Sequence, residues 1–174
     1  MRNATEALND KEYNVFYKRY IELVPNKNIV QLLIDDLYNQ LKFIESIPAN
    51  KLGFRYAPNK WSVADVILHI VDTERIFSYR ALWFARNDQH QLPGFDENFW
   101  VKNSNADRYL ISDLIGQFKT TRNQTIALFK GFNEADLLKT GVASNADFSI
   151  RAIAYIILGH NRHHINKIKE LYLR

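Results

Sequence analysis

The residue type in this chain best suited to chemistry is histidine, and it is bunched. Of five histidines in 174 residues, three fall in the stretch GHNRHHINKIKELYLR: His160, His163 and His164. Neutral imidazole is a ligand for divalent metals. On a helix, His160 and His164 lie about 40° apart and one turn along the same face, His160 and His163 about 60° apart, and His163 and His164 about 100° apart. The last pair diverges too far to share an ion, so the stretch offers an i, i+4 clamp or a competing i, i+3 clamp. Two imidazoles alone make a weak site. His69 is the candidate third ligand: in VILHIVDTE it shares an apolar stripe with Val66, Ile67, Ile70 and Thr73. That stripe faces an interior, the direction from which metal ligands converge in helix bundles. His90 lies in a loop stretch without such a context.

Two structural readings compete with a metal site. A histidine on an apolar face is commonly a hydrogen-bonded core residue, and histidines near a helix C-terminus suit the negative end of the dipole. The second fits poorly, because His160 directly follows the apolar run AYIILG, well before the chain ends. Three imidazoles would leave coordination positions open, able to acidify a bound water to a pKa of about 7 or to bind another ligand directly. Zinc, nickel, copper and iron all suit such ligands. Binding should fail as pH falls through the histidine range, since the ligands must be unprotonated.

The elements that must position these residues read as helical throughout. KEYNVFYKRYIELV is a short amphipathic segment stopped by Pro25. Asn28 to about Ile47 follows, with Ile29, Leu32, Leu33, Leu37, Leu41 and Ile44 at helical spacing. Ser62 and Asp65 resemble a capping box for the long run VADVILHIVDTERIFSYRALWFAR. NDQHQLPGFDENFW reads as a loop, and a further helix spans about Ser112 to Lys130, ended by Gly131. NEADLLKTG reads as a helical turn closing at Gly141. Ser149 can cap a last helix running to the C-terminus. The expected architecture is an all-α four-helix bundle with a short extra N-terminal helix, residues 1–174 forming one domain. No segment shows sustained strand alternation.

Composition narrows the function classes. With 47% hydrophobic and 24% charged residues the chain reads as an ordinary globular protein. The absence of cysteine excludes disulfides, thiolate ligands and cysteine nucleophiles, so any thiol in its chemistry must come from a substrate. A formal charge of +4 is too mild and scattered to indicate nucleic-acid binding. The polar N-terminal stretch lacks a signal-peptide core, and the longest apolar run, Ala152 to Leu158, is far short of a membrane span. A cytoplasmic location without membrane attachment is expected. There is no Ser/His/Asp pattern, phosphate-binding glycine loop or dinucleotide fingerprint.

Three stretches together, YAPNKWSVADVILHIVDTERIFSYRALWFARND, LPGFDENFWV and GHNRHHINKI, resemble the DinB/YfiT superfamily of metalloenzymes, which includes bacillithiol- and mycothiol-dependent S-transferases. The shared pattern is a Trp-Ser helix start, a His seven residues after that Ser, then an acidic residue, a Glu and an Arg, and a closing Gly-His-x-x-His-His. The resemblance covers roughly residues 28 to 170. It implies a four-helix bundle of unusual topology and one divalent metal, zinc or nickel, held by His69, His160 and His164. His163 then reads as a neighbour. It also implies a small-molecule substrate, a low-molecular-weight thiol as co-substrate in the transferase branch, and a homodimer. Lys167 departs from the family, whose members often carry Gln there. It either snorkels to solvent or holds an anionic substrate group near the metal.

Other residues have expected places. Asp72, at i+3 from His69, either reaches a ligand imidazole or stays on the helix surface. Glu74 should pair with Arg55, Arg80 or Arg122. Trp61 and Ser62 serve the helix start. Tyr56, Phe95, Phe99 and Trp100 could wall a pocket or form a dimer contact. No strong general base is visible, which favours a reaction activated by the metal itself. The expected function is a metal-dependent thiol S-transferase or hydrolase, with Asp72 and Lys167 as candidate catalytic residues. The alternative is a non-catalytic metal or small-ligand binding module.

Overall fold

The computed structural model describes residues 8–174. Side-chain caps set most helix starts, each answering an orphan backbone N–H. Asn14 accepts from Phe16 N–H, and a 3-10 turn over Val15–Tyr17 leads into α1, Lys18–Ile21. The amphipathic N-terminal segment is therefore helical only in its second half. Asn28 caps α2, Ile29–Glu45. Ser62 Oγ accepts from Asp65 N–H at 3.1 Å and Asp65 Oδ2 from Ser62 N–H at 2.8 Å, the capping box expected for α3, Val63–Ala85. Then come α4, Glu97–Asn103, and α5, Ile111–Lys130. After α6, Glu134–Leu138, and the strands β1, Thr140–Ala143, and β2, Ala146–Ser149, the chain ends in α7, Ile150–Lys167. Ser149 caps α7, whose end widens into a π-helical turn, Ile168–Tyr172.

Two local expectations fail for identifiable reasons. FDENFW is not all loop, because Asp96 Oδ1 accepts from the N–H groups of Asn98 and Phe99 and starts α4. Nor does α6 run to Gly141: it stops at Leu138, and Gly141 pairs with Phe148 in an antiparallel hairpin. Ser144 and Asn145 turn that hairpin with φ of 53° and 59°, the left-handed conformation that suits a tight two-residue connection. Four-residue strands are too short for alternation to show in sequence. Gly141 is required there, since a Cβ would overlap the Phe84 ring.

Four long helices, α2, α3, α5 and α7, form the bundle. The packed neighbours are α2 with α5, α5 with α3, α3 with α7, and α7 with α2. Thus α2 and α3, consecutive in sequence, face each other across one diagonal, and α5 and α7 across the other. Every residue of α7 from Ile150 to Asn161 is buried, including Arg151, His160 and Asn161. This is why its sequence reads as an unbroken apolar run rather than a stripe. At the centre, Arg122 of α5 donates to both carboxylate oxygens of Glu74 on α3, at 2.7 and 2.9 Å, and to Leu33 O of α2 at 3.4 Å. Asn161 of α7 donates to Glu74 Oε2 at 2.9 Å. Among the described residues no helix is long and apolar enough to cross a membrane.

Helix α1 lies across α7, and Gly159 permits the approach: a Cβ there would overlap the Tyr20 carbonyl. Gly159→Ala should lower stability by about 1–3 kcal/mol, an overpacking cost. Gly116→Ala, on the open face of α5 with nothing within 4 Å, should instead raise it by about 0.5–1 kcal/mol. Thermal melts of the two variants check both signs. Arg122→Met should cost about 3–5 kcal/mol, because it strands the buried Glu74 carboxylate. Denaturant titration measures this.

Candidate metal centre

Helix α3 carries His69 and α7 carries His160 and His164, and packing brings their Nε2 atoms together. His160 Nε2 lies 3.1 Å from His69 Nε2 and 3.1 Å from His164 Nε2. Ligand nitrogens of all three fall within 4.8 Å of one another. A ring nitrogen either donates one hydrogen or accepts with one lone pair. His160 Nε2 can therefore make one good hydrogen bond to these neighbours, and the other 3.1 Å contact is left without one. A cation resolves that shortfall. Two nitrogens bound tetrahedrally to zinc at 2.0–2.1 Å stand about 3.3 Å apart, close to what is observed.

Electrostatics keep the ligands ready. His69 and His160 are 8% and 7% exposed. Burial pushes the His69 pKa down to about 4. Burial, and then the neighbouring imidazoles, hold His160 well below the ordinary histidine range. His164 is lowered likewise by burial, His69, His163 and Arg19. All three are neutral at neutral pH, as metal ligands must be.

Aromatic rings enclose the centre. Trp61 packs on His69 with ring centroids 4.7 Å apart and stacks on His164 at 6.3 Å. Tyr20 of α1 meets His160 edge-on at 5.4 Å and His163 at 5.3 Å. The histidines open onto a cleft of about 430 Å³ that also reaches Tyr17, Thr73, Phe77, Arg80 and Phe95.

The profile of the DinB superfamily matches residues 35–168, more than half the chain. The chain belongs to the DinB superfamily. Its likenesses to individual proteins are distant. A protein of Geobacillus thermodenitrificans named "Putative metal-dependent hydrolase" is 22% identical over 126 residues, 71% of each chain. One of the same name from Geobacillus kaustophilus is 22% identical over 133 residues, 75% of each. A solved structure described as "YfiT from Bacillus subtilis is a probable metal-dependent hydrolase with an unusual four-helix bundle topology" superposes with a TM-score of 0.71 at 16% identity. The overlap covers 95% of this chain and 91% of that one. The fold is shared with that DinB-like bundle.

His163 is half-buried beside the site, its ring 5.2 Å from that of His164. His90 is exposed in its loop and contacts Asp88 at 2.7 Å. Glu74 chose Arg122 among its three expected partners, while Arg55 pairs with Asp65 at 2.9 Å. Asp72 pairs with Arg75 at 3.0 Å on the flank of α3 and does not line the cleft. Burial raises its pKa, against the lowering pull of Arg75. Lys167 lines a smaller adjoining pocket with His163, His164, Tyr56 and Tyr172, and lies 3.6 Å from Glu170. Phe95 lines the main cleft, whereas Phe99 and Trp100 are exposed beyond it. Trp61 does more than start a helix, since it walls two of the three histidines. Tyr20, Thr73 and Arg80 were not anticipated at the site. Thr73 and Arg80 share the His69 face of α3, about 40° and 20° from it round the helix, a signal present in the sequence. Nothing local in the sequence pointed to Tyr20.

Neutral burial also gives the metal-free protein a pH dependence. The folded-state pKa of His69, about 4, lies below its ordinary 6.5, so the unfolded chain takes up the proton first. The contribution is complete above pH 6.5 and is lost as pH falls toward 4, about 3 kcal/mol in all. His160 and His164 shift in the same direction. The melting temperature of chelator-treated protein should fall steadily from pH 7 to about 4.5. His69→Leu should flatten that slope, and an unchanged slope in the variant would show that His69 is not buried neutral.

Proposed function

We propose that this DinB-superfamily protein is a metal-dependent enzyme acting on a small molecule, with His69, His160 and His164 holding one divalent ion, zinc or nickel. The observation that carries this reading is the convergence of three neutral Nε2 atoms with contacts of 3.1 Å at the wall of an aromatic cleft. The names of the Geobacillus relatives support a metal-dependent reaction. The reaction class is transfer to a small electrophile of a nucleophile, either a thiolate from a low-molecular-weight thiol or water.

A divalent ion held there supplies Lewis acidity, which lets a thiol or water ionise near neutral pH without a strong protein base. That fits the lining. Glu97, exposed at the rim, is the one carboxylate among the described lining residues. Trp61 and Tyr20 orient the imidazoles and exclude bulk water from one side. Lys167 would hold an anionic group beside His164, a reading supported by the pocket they share and by the exposed, easily released contact with Glu170. Asp72 would have to exchange Arg75 for a partner at His69 to act as a catalytic carboxylate.

Elemental analysis of protein purified without a histidine tag should find about one divalent metal per chain. His69→Ala and His160→Ala should each weaken metal binding more than about 100-fold. Metal retained in both variants refutes the ligand assignment. Holoprotein should transfer bacillithiol, mycothiol or glutathione to a fluorogenic electrophile, or hydrolyse a small ester or amide. A holoprotein inert across both panels is a binding module instead.

A further inference from the structure

Arg80 is 1% exposed, yet no carboxylate answers its charge among the described residues. Its Nη2 donates to Pro93 O at 3.1 Å and Ser144 Oγ at 2.8 Å, and the guanidinium also hydrogen-bonds the Tyr17 hydroxyl. The guanidinium also lies 4.9 Å from the Phe77 ring centroid and 6.0 Å from that of Phe148. These contacts satisfy part of its five-donor fork and supply no negative charge. The other buried arginines of the fold are paired: Arg122 with Glu74, and Arg151 with Glu12. A buried, uncompensated cation is costly to keep. Arg80 lines the same cleft as the three histidines.

The same cleft runs from the histidines to Arg80 along α3. From His69, Arg80 lies eleven residues along α3, roughly 16 Å of rise, and on nearly the same face. Its side chain leans back toward the helix N-terminus and shortens the span. Thr73 lies on that line, and its buried Oγ1 has no hydrogen-bond partner. Tyr17 and Phe77 form a ring wall beside it, with centroids 5.9 Å apart. Arg19 and the exposed carboxylate of Glu97 also line the cleft, one charge of each sign.

We propose that Arg80 forms an anion subsite at the far end of the cleft, and that it takes the carboxylate of an elongated substrate whose reacting end lies at the histidines. A single planar guanidinium matches one carboxylate in charge and shape. Thr73 Oγ1 supplies a polar contact one turn from His69, and the rings of Tyr17 and Phe77 cover an apolar middle. The placement of the reacting end rests on the metal-centre reading; the carboxylate preference does not.

The test uses 4-phenylbutyrate and its uncharged amide as probes, titrated calorimetrically into full-length protein with metal content measured in parallel. The carboxylate should bind at least about tenfold more tightly than the amide. Arg80→Gln should erase that preference while metal content stays unchanged, and Arg80→Lys should keep part of it. Equal binding of the two probes to the wild-type protein overturns the proposal without any variant, should Arg80→Gln fail to fold. So does a preference that survives in Arg80→Gln and disappears in His160→Ala, which would put the carboxylate on the metal. If the wild-type protein holds no metal but still prefers the carboxylate, the subsite stands and the metal centre fails.

Discussion

The structure hangs on one buried ion pair. Arg122 and Glu74 are 0% and 1% exposed, and their bidentate contact ties α5 to α3. Through Leu33 O and Asn161 the same cluster reaches α2 and α7, so all four bundle helices meet in it. Breaking a buried, hydrogen-bonded charge pair by a shift along a helix axis is strongly destabilising. Glu74 lies five residues beyond His69 on α3, and Asn161 directly follows His160 on α7. Fixing that pair and its amide partner fixes the register at which the three imidazoles meet. Burial works against the Arg122 charge, and Glu74 beside it outweighs that, so the guanidinium stays charged.

Around this anchor the cleft is built from unlike parts. α3 supplies His69, Thr73 and Arg80 along one face, α7 supplies two histidines, and α1 closes over them through the contact that Gly159 allows. The segment between α3 and α4 bonds to the hairpin, Leu92 N–H donating to Val142 O at 3.0 Å and Ser144 N–H to Leu92 O at 3.1 Å. That junction brings Pro93 and Ser144 onto Arg80. The hairpin, small as it is, therefore shapes the end of the cleft farthest from the histidines. The histidines rest on rigid helices at one end and loop-borne groups gather at the other.

Much of the fold was legible where local chemistry decides. Asn28, Ser62 and Ser149 cap helices as their sequence contexts indicate, since a cap needs only a side-chain oxygen near the next turn. The i, i+4 spacing of His160 and His164 put them on one face, and the apolar surroundings of His69 turned it inward. The α4 cap at Asp96 was equally local but hidden in a stretch dense with loop residues. The hairpin escaped notice because a Ser-Asn turn lacks the glycine that usually announces a left-handed pair.

By itself, then, the sequence determined the four long helices, the inward faces and the residue types able to bind a metal. These follow from backbone caps, 3.6-residue periodicity and side-chain chemistry, all of which act within a few turns of one helix. Tertiary structure alone decided which helices are neighbours: α2 and α3 face each other across a diagonal despite following one another in the chain. It chose Arg122 over Arg55 and Arg80 as the partner of Glu74, and so left Arg80 buried and unanswered by any described carboxylate. It also set Tyr20 and Trp61 against the histidines. Such choices depend on which charged and aromatic groups meet when water is expelled, and that is fixed by the joint packing of segments far apart in the chain.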